Sequence, residues 1–223
     1  MEAEETKRVF YDLVARHIGR DGISNLMKYL ETTQFFTAPA SSRYHYPHEG
    51  GLAEHAVNTY LRLVNLLKSE YGDACPYSED TVAIVSLFHG IGKEDLYQKT
   101  TRNVKDASGN WSSVQCYTTA EDRYLIGSCE ERTLYTLMWY MRISPNEARA
   151  ILYSKGSDAS NADPYHDSTM LTVYRKCPLA LFLMQAAQQS SLIGAPKEPV
   201  KKEDNPVDKP DESSSGEDDD IPF

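Results

Sequence analysis

Two stretches decide how this chain folds: Tyr46-Pro47-His48-Glu49-Gly50-Gly51-Leu52-Ala53-Glu54-His55 and, further on, Leu87-Phe88-His89-Gly90-Ile91-Gly92-Lys93. The first runs into a segment where Leu52, Ala56, Tyr60, Leu63 and Leu67 recur three and four residues apart, which predicts a helix over 52–67. The second closes a run over 81–91 that is apolar enough to be a central buried helix. Upstream, Val9, Phe10, Leu13 and Val14, then Leu26, Met27 and Leu30, make the first 31 residues mostly helical. Downstream, Leu134, Leu137, Met138 and Met141 mark another helix, and 179–192 supplies a last one. Ser144-Pro145-Asn146-Glu147 begins a further helix, with an N-cap Ser, a Pro at the first helical position and a Glu at the third. One stretch departs from helical spacing. Over 101–117, Val104, Trp111 and Val114 alternate with polar residues around Asp106-Ala107-Ser108-Gly109-Asn110, which predicts an inserted β-hairpin.

The chain has 223 residues, 40% hydrophobic and 25% charged, enough to bury one core with residues left over. Its formal charge of −10 is uneven: residues 197–223 hold four lysines and ten carboxylates, so the body carries only −4. This argues against a strongly basic protein that coats duplexes, while leaving room for a local basic patch. Beyond Pro196 the composition falls to Lys, Glu, Asp, Pro and Ser, which predicts a disordered linker over 196–217 after a body of 1–195. Cys75, Cys116, Cys129 and Cys177 are too scattered for a disulfide framework or a zinc knuckle, and reduced thiols are expected. No signal peptide opens the sequence and no run approaches the length of a membrane span, so a cytoplasmic protein with no membrane partner is expected, in a bacterial host cell or its nucleoid.

The two histidine-bearing stretches resemble the HD-domain phosphohydrolase superfamily, over roughly residues 8–192. The resemblance implies a mainly α fold: an HD-domain-like helical bundle, here with an inserted β-hairpin and a disordered acidic C-terminal tail. In that family a His, an adjacent His-Asp pair and a distal Asp hold divalent metals, which lower the pKa of an attacking water. His55 and His89 stand where the first two ligands belong, but Gly90 occupies the place of the paired Asp. Histidines of relatives would fall near Ser128 and Ser154, and the distal Asp near Gln188. A change made at Gly90 to trap an active enzyme would account for one of these losses, not for all. The expectation is a pseudoenzyme with no catalytic residue, no cofactor and no metal, His55 and His89 remaining as vestigial, hydrogen-bonded core residues. Replacement carboxylates from Glu94, Asp95, Glu130 or Asp163 are the alternative.

The sequence ends Asp218, Asp219, Asp220, Ile221, Pro222, Phe223. These six residues resemble the tip of bacterial single-stranded DNA-binding proteins, in which a disordered linker carries an acidic, aliphatic-Pro-Phe segment that docks on replication, recombination and repair enzymes. The resemblance implies the same partners here. Phe223, with its ring and terminal carboxylate, and Ile221 would enter an apolar pocket, and the three aspartates would be drawn to a basic rim.

The body has features of a strand binder too. Lys99, Arg102 and Lys105 face one acid, Asp106, between Tyr97 and Tyr117, and Trp111 lies among them. Phosphates pair with such cations while unstacked bases lie on such rings. Lys93, and Arg43 with Tyr44, extend the candidate surface. The expected function is therefore single-stranded DNA binding on a degenerate HD fold, with enzymes recruited through the tip, in phage or mobile-element replication. Two other readings stay open: a metal-dependent nucleotide phosphohydrolase, and an adaptor or decoy for tip-binding enzymes that touches no DNA.

Overall fold

The computed structural model describes residues 2–105, 109–120, 127–156 and 164–194, with backbone alone for 164–168. It is mostly helical with one two-stranded antiparallel hairpin. Asp106, Asp163, the linker 196–217 and the segment 218–223 lie outside the described residues.

Helix α1 (Ala3–His17) and helix α2 (Ile23–Glu31) account for the apolar spacing at the start of the chain. They are separate helices because the chain turns at Gly22, whose φ of 93° is left-handed and whose Cβ, were there one, would lie 1.8 Å from the Tyr140 carbonyl oxygen. The predicted central helices are α3 (Gly51–Tyr71) and α4 (Glu79–Phe88). Residues 51–57 of α3 are buried without interruption, apolar and polar alike, which is the mark of a helix packed on every side. Helices α1 and α4 and the later helix α8 (Pro178–Gln189) surround it. Phe10 meets Phe35, Phe36 and Phe88 edge to face at 5.4–5.7 Å, and these rings bind α1, the segment after α2 and α4 into one core.

After α4 the chain makes a 3-10 turn (Ile91–Lys93) and enters strands β1 (Tyr97–Lys105) and β2 (Trp111–Thr119). Ala120 N–H donates to the Leu96 carbonyl at 3.0 Å, closing the base of the hairpin on the body. Helices α5 (Cys129–Tyr140), α6 (Pro145–Leu152) and α7 (Pro164–Lys176) follow. Both α5 and α6 begin with a complete capping box, Ser128 with Glu131 and Ser144 with Glu147, the second as the sequence predicts. Helix α7 is an addition to the predicted set. All four cysteines are free. Among the described residues no helix is long and apolar enough to cross a membrane.

Glu147 does more than cap α6. It is fully buried, and Arg20 donates to both of its oxygens at 2.9 Å. Thr81 Oγ1 and the Ser144 amide complete its shell at 2.8 and 2.7 Å, while Arg20 also reaches Asp80 and the Arg142 carbonyl. The α1–α2 turn, the start of α4 and the start of α6 are joined through this one carboxylate. Burial by itself would raise its pKa, but the hydrogen bonds of Arg20, Ser144 and Thr81 outweigh burial and hold it below the usual range. Glu147→Ala should cost about 2–4 kcal/mol in urea unfolding, because it removes two of Arg20's charged hydrogen bonds, leaving Asp80 as its one carboxylate partner, and strips Thr81 and the α6 cap of theirs. Since the folded-state pKa is depressed, this contribution is present above the unfolded value and is lost as pH falls through the folded one, so the gap between parent and variant should narrow on acidification.

Candidate functional site

His55 lies on the buried stretch of α3, and His89 follows the last turn of α4. Their Nε2 atoms are 3.2 Å apart. The proton positions follow from the acceptors. His89 Nδ1 lies 2.7 Å from the Ser86 carbonyl, which only accepts, so Nδ1 carries the proton and Nε2 is an acceptor. His55 Nε2–H then donates to it, and His55 Nδ1 accepts from Ser190 Oγ at 3.0 Å. The result is a one-directional chain, Ser190 to His55 to His89 to Ser86, with both rings neutral. Burial pushes the His89 pKa down to about 4 against the Ser86 bond, and pushes His55 well down, because a proton added there would also be repelled by Lys93 and by protonation of the neighbouring His89 and His45.

The positions that the family resemblance assigns to further ligands are employed otherwise. A Cβ at Gly90 would lie 3.1 Å from Leu52 Cδ1, so an apolar methyl fills the space in front of it. Ser128 caps α5. Ser154 is buried and donates to the Ile151 carbonyl at 2.8 Å, and Gln188 is exposed. Two of the four proposed replacement carboxylates are engaged elsewhere, and Glu130 lies half-buried in the first turn of α5. Tyr29 Oη donates to Glu94 at 2.5 Å, the Gln34 amide donates to Asp95 at 3.0 Å, and Asp163 is outside the described residues. Glu54, beside His55 in sequence, pairs with His48 at 3.0 Å. No group of three His, Cys, Asp or Glu side chains able to hold a metal ion occurs among the described residues. Two imidazoles already bonded to each other do not fit a divalent cation as its donor set.

Three residues of this site were not legible in the sequence. Ser190, at the end of α8, completes the histidine chain from 135 positions away. Tyr46 is fully buried against His55, with a left-handed φ of 46°, and Asn58 Nδ2 donates to its hydroxyl at 3.1 Å. Its carbonyl crowds α3, since a Cβ at Gly51 would lie 2.1 Å from that oxygen; here glycine is required by close approach. His45 places a third imidazole 5.5 Å from His55, its pKa pushed down to about 4 by burial and then by Lys93. Its position beside the first quoted stretch was the available signal.

The hairpin register sorts the basic candidates by face. Lys99 pairs with Tyr117, Lys105 with Trp111 and Tyr97 with Thr119, so both lysines and all three rings share one face. Arg102 pairs with Val114 on the other face, so the three cations do not act as one patch. Lys105 Nζ stands 5.8 Å from the Trp111 ring centroid, and Trp111 is 71% exposed. Lys99 is held at 3.0 Å by Glu49, and Lys93 donates to the Ala40 carbonyl at 2.8 Å. Arg43 and Tyr44, both exposed, lie on the same loop between Ala40 and Glu49. Arg43, Lys93 and Lys99 therefore border one loop, while Lys105 and Trp111 sit about 20 Å further along the ribbon at about 3.3 Å per residue.

Comparison with protein-family models, curated proteins and solved structures finds no match to this chain.

The buried groups of this region predict opposing effects of pH on stability. The histidines have folded pKa values below their unfolded ones, so the unfolded chain takes up more protons and stability falls as pH drops from about 6.5 toward about 4. Glu94 is the reverse: burial raises its carboxyl to about 7, so stability falls as pH rises from the ordinary carboxylate range through that value. In urea unfolding, His89→Gln should therefore lose less stability than the parent between pH 6.5 and 4.5, by at most about 3 kcal/mol. Glu94→Gln should gain on the parent as pH rises from the ordinary carboxylate range to about 7, and gain no more above it.

Proposed function

We propose that this chain is a degenerate, non-hydrolytic HD-like protein that binds single-stranded DNA and recruits replication, recombination or repair enzymes through residues 218–223. The observation that carries strand binding is the single hairpin face that holds two cation–ring cross-strand pairs, Lys99 with Tyr117 at the base and Lys105 with Trp111 near the tip, with the polar pairs Thr101–Gln115 and Asn103–Ser113 between them. Both faces of the ribbon are largely exposed along β1 and most of β2. A two-stranded ribbon gains little from itself, and an exposed Trp111 with a half-buried Tyr117, each beside a lysine, suits a chain whose phosphates and bases alternate. The HD reading is supported by the convergence of His55 and His89. Their 3.2 Å separation is close to the roughly 3.4 Å between two nitrogens of a tetrahedral metal with bonds of about 2.0–2.1 Å. The loss of hydrolysis is supported by the employment of the remaining ligand positions in capping and packing. The setting we assign is phage or mobile-element replication in a bacterial cytoplasm.

Fluorescence anisotropy with labelled poly-dT over a salt series tests strand binding. The affinity should weaken steeply with salt, and Lys99→Ala with Lys105→Ala should reduce the logarithmic slope by about 1.4 units, the loss of two single-strand phosphate contacts. Trp111→Ala should cost about 1–3 kcal/mol, whereas Arg102→Ala, on the opposite face, should change little. Unchanged affinity in a folded Lys99, Lys105, Trp111 triple variant would overturn the hairpin as the binding surface, and absence of strand binding in the parent would leave an adaptor.

Recruitment has its own test. Removing residues 218–223 should leave the thermal midpoint of the body unchanged and abolish capture of an exonuclease or helicase that reads single-strand-binder tips. Phe223→Ala should lose most of that capture, and replacing Asp218, Asp219 and Asp220 should act mainly on association rate and salt sensitivity. Equal binding of parent and truncated protein would overturn recruitment.

A further inference from the structure

Strand binding and recruitment leave one surface of the body unused, the outer face of α5. Its inner face holds the helix to the body. Thr133 and Leu137 are fully buried there, Thr133 Oγ1 accepts from the Gly92 amide at 2.9 Å and donates to the His89 carbonyl at 3.1 Å, and the Tyr140 ring centroid lies 5.3 Å from that of Tyr29. On the outer face Tyr135, Met138 and Trp139 are 59, 61 and 73% exposed. Trp139 follows Tyr135 by one turn, with their ring centroids 6.3 Å apart. Scattered apolar residues on a surface need no explanation, but three large ones at helical spacing make a continuous strip, which nothing among the described residues covers.

The strip ends in charges of opposite sign. Glu131, Tyr135 and Met138 follow one another along one side of α5, and Arg142 lies a further four residues on, just past the end of the helix. Both charged residues are exposed. Glu131 accepts from the Ser128 amide through Oε2, which leaves Oε1, and the Arg142 side chain has no partner among the described residues. An acid, an apolar centre and a base in a row are complementary to the same row reversed. Laid antiparallel on a second α5, about the level between Thr136 and Leu137, Glu131 comes level with Arg142 of the second copy, Tyr135 with its Met138 and Trp139 with its Leu134, and two-fold symmetry repeats each meeting. Opposed helix ends meet as well, whereas a parallel pairing would set Glu131 against Glu131. We propose that the outer face of α5 is the interface of a homodimer, in which α5 pairs antiparallel with α5 of a second copy of this chain. The three exposed side chains bring roughly 400 Å² from each copy, about half of what a standard interface takes from each partner. The dimer is therefore in exchange with the monomer, with a Kd on the order of 10 µM. The pairing does not depend on strand binding.

The test is sedimentation equilibrium of the full chain from about 1 to about 300 µM, a range that brackets such a Kd. The parent should pass from monomer to dimer. Trp139→Glu should weaken the dimer by about a hundredfold or more and leave the thermal midpoint of the dilute protein unchanged, because the ring is exposed in the monomer. The charges report the arrangement. Glu131→Arg and Arg142→Glu should each weaken pairing by about tenfold, since each sets like charges level twice, and an equimolar mixture of the two variants should recover the parent's affinity, since both pairs are then opposite again. If Glu131→Arg fails to fold for want of its capping box, Trp139→Glu and Arg142→Glu decide. Trp111→Ala, on the ribbon, should dimerise like the parent. A parent that stays monomeric throughout, or a Trp139→Glu protein that dimerises as well as the parent, overturns the interface, and a mixture no tighter than the separate variants overturns the antiparallel arrangement. With a monomeric parent, loss of poly-dT affinity in Trp139→Glu would assign the face to a strand, and unchanged affinity would assign it to a cover from this chain or from another protein.

Discussion

The first two turns of α3 are buried on every side, so each polar atom they carry has to be satisfied by protein. That constraint shapes the surroundings. His55 is neutral because a charged imidazole there would have no solvent and no carboxylate, and its two nitrogens are taken by Ser190 and His89. Glu54, equally buried, is met by His48. Tyr46 adopts a left-handed backbone that sets its ring against His55, and Gly51 lets the helix start against the Tyr46 carbonyl. The histidine pair is in this sense a structural element before it is anything chemical.

The parts of the fold that sequence made legible are those with local causes. Helical spacing marked α3 and α4, the Ser-Pro-Asn-Glu run marked the start of α6, and alternation marked the hairpin. Glycine chemistry was less visible. The break at Gly22 and the close approaches at Gly51 and Gly92 answer to Tyr140, Tyr46 and Cys129, partners whose proximity is tertiary in two of the three cases. The candidate site divided in the same way. His55 and His89 stood out by motif, but Ser190 enters through the packing of α8 on α3, which no local pattern records. For the ribbon, the parity of residues 99, 102 and 105 already separates Arg102 from the two lysines. Only the register with β2 shows that Tyr117 and Trp111 join the lysines' face.

Electrostatics divides the molecule more sharply than its overall charge suggests. The acidic excess is concentrated beyond the body, and within the body carboxylates such as Glu147, Glu54 and Glu31 are paired with cations or histidines at helix junctions. Lys93 and the imidazoles around it, by contrast, have no carboxylate partner at hydrogen-bond distance. A surface arranged in this way attracts anions locally on a chain that repels them on average, so binding would be confined to a short path and strongly dependent on ionic strength.

Helix α3 has no side-chain cap. Its first amides are instead satisfied from upstream: Gly50 N–H donates to the Thr37 carbonyl at 3.2 Å and Leu52 N–H to the Ala38 carbonyl at 2.9 Å. The start of the helix therefore cannot fray by itself, as exposed helix ends do; it opens only when the loop over residues 37–50 lifts with it. These two amide protons sit beside the histidine cluster without belonging to it. Their exchange with solvent would report whether the loop is seated, whatever the charge state of the rings, and so gives a silent gauge of the site that needs no ligand and no substitution.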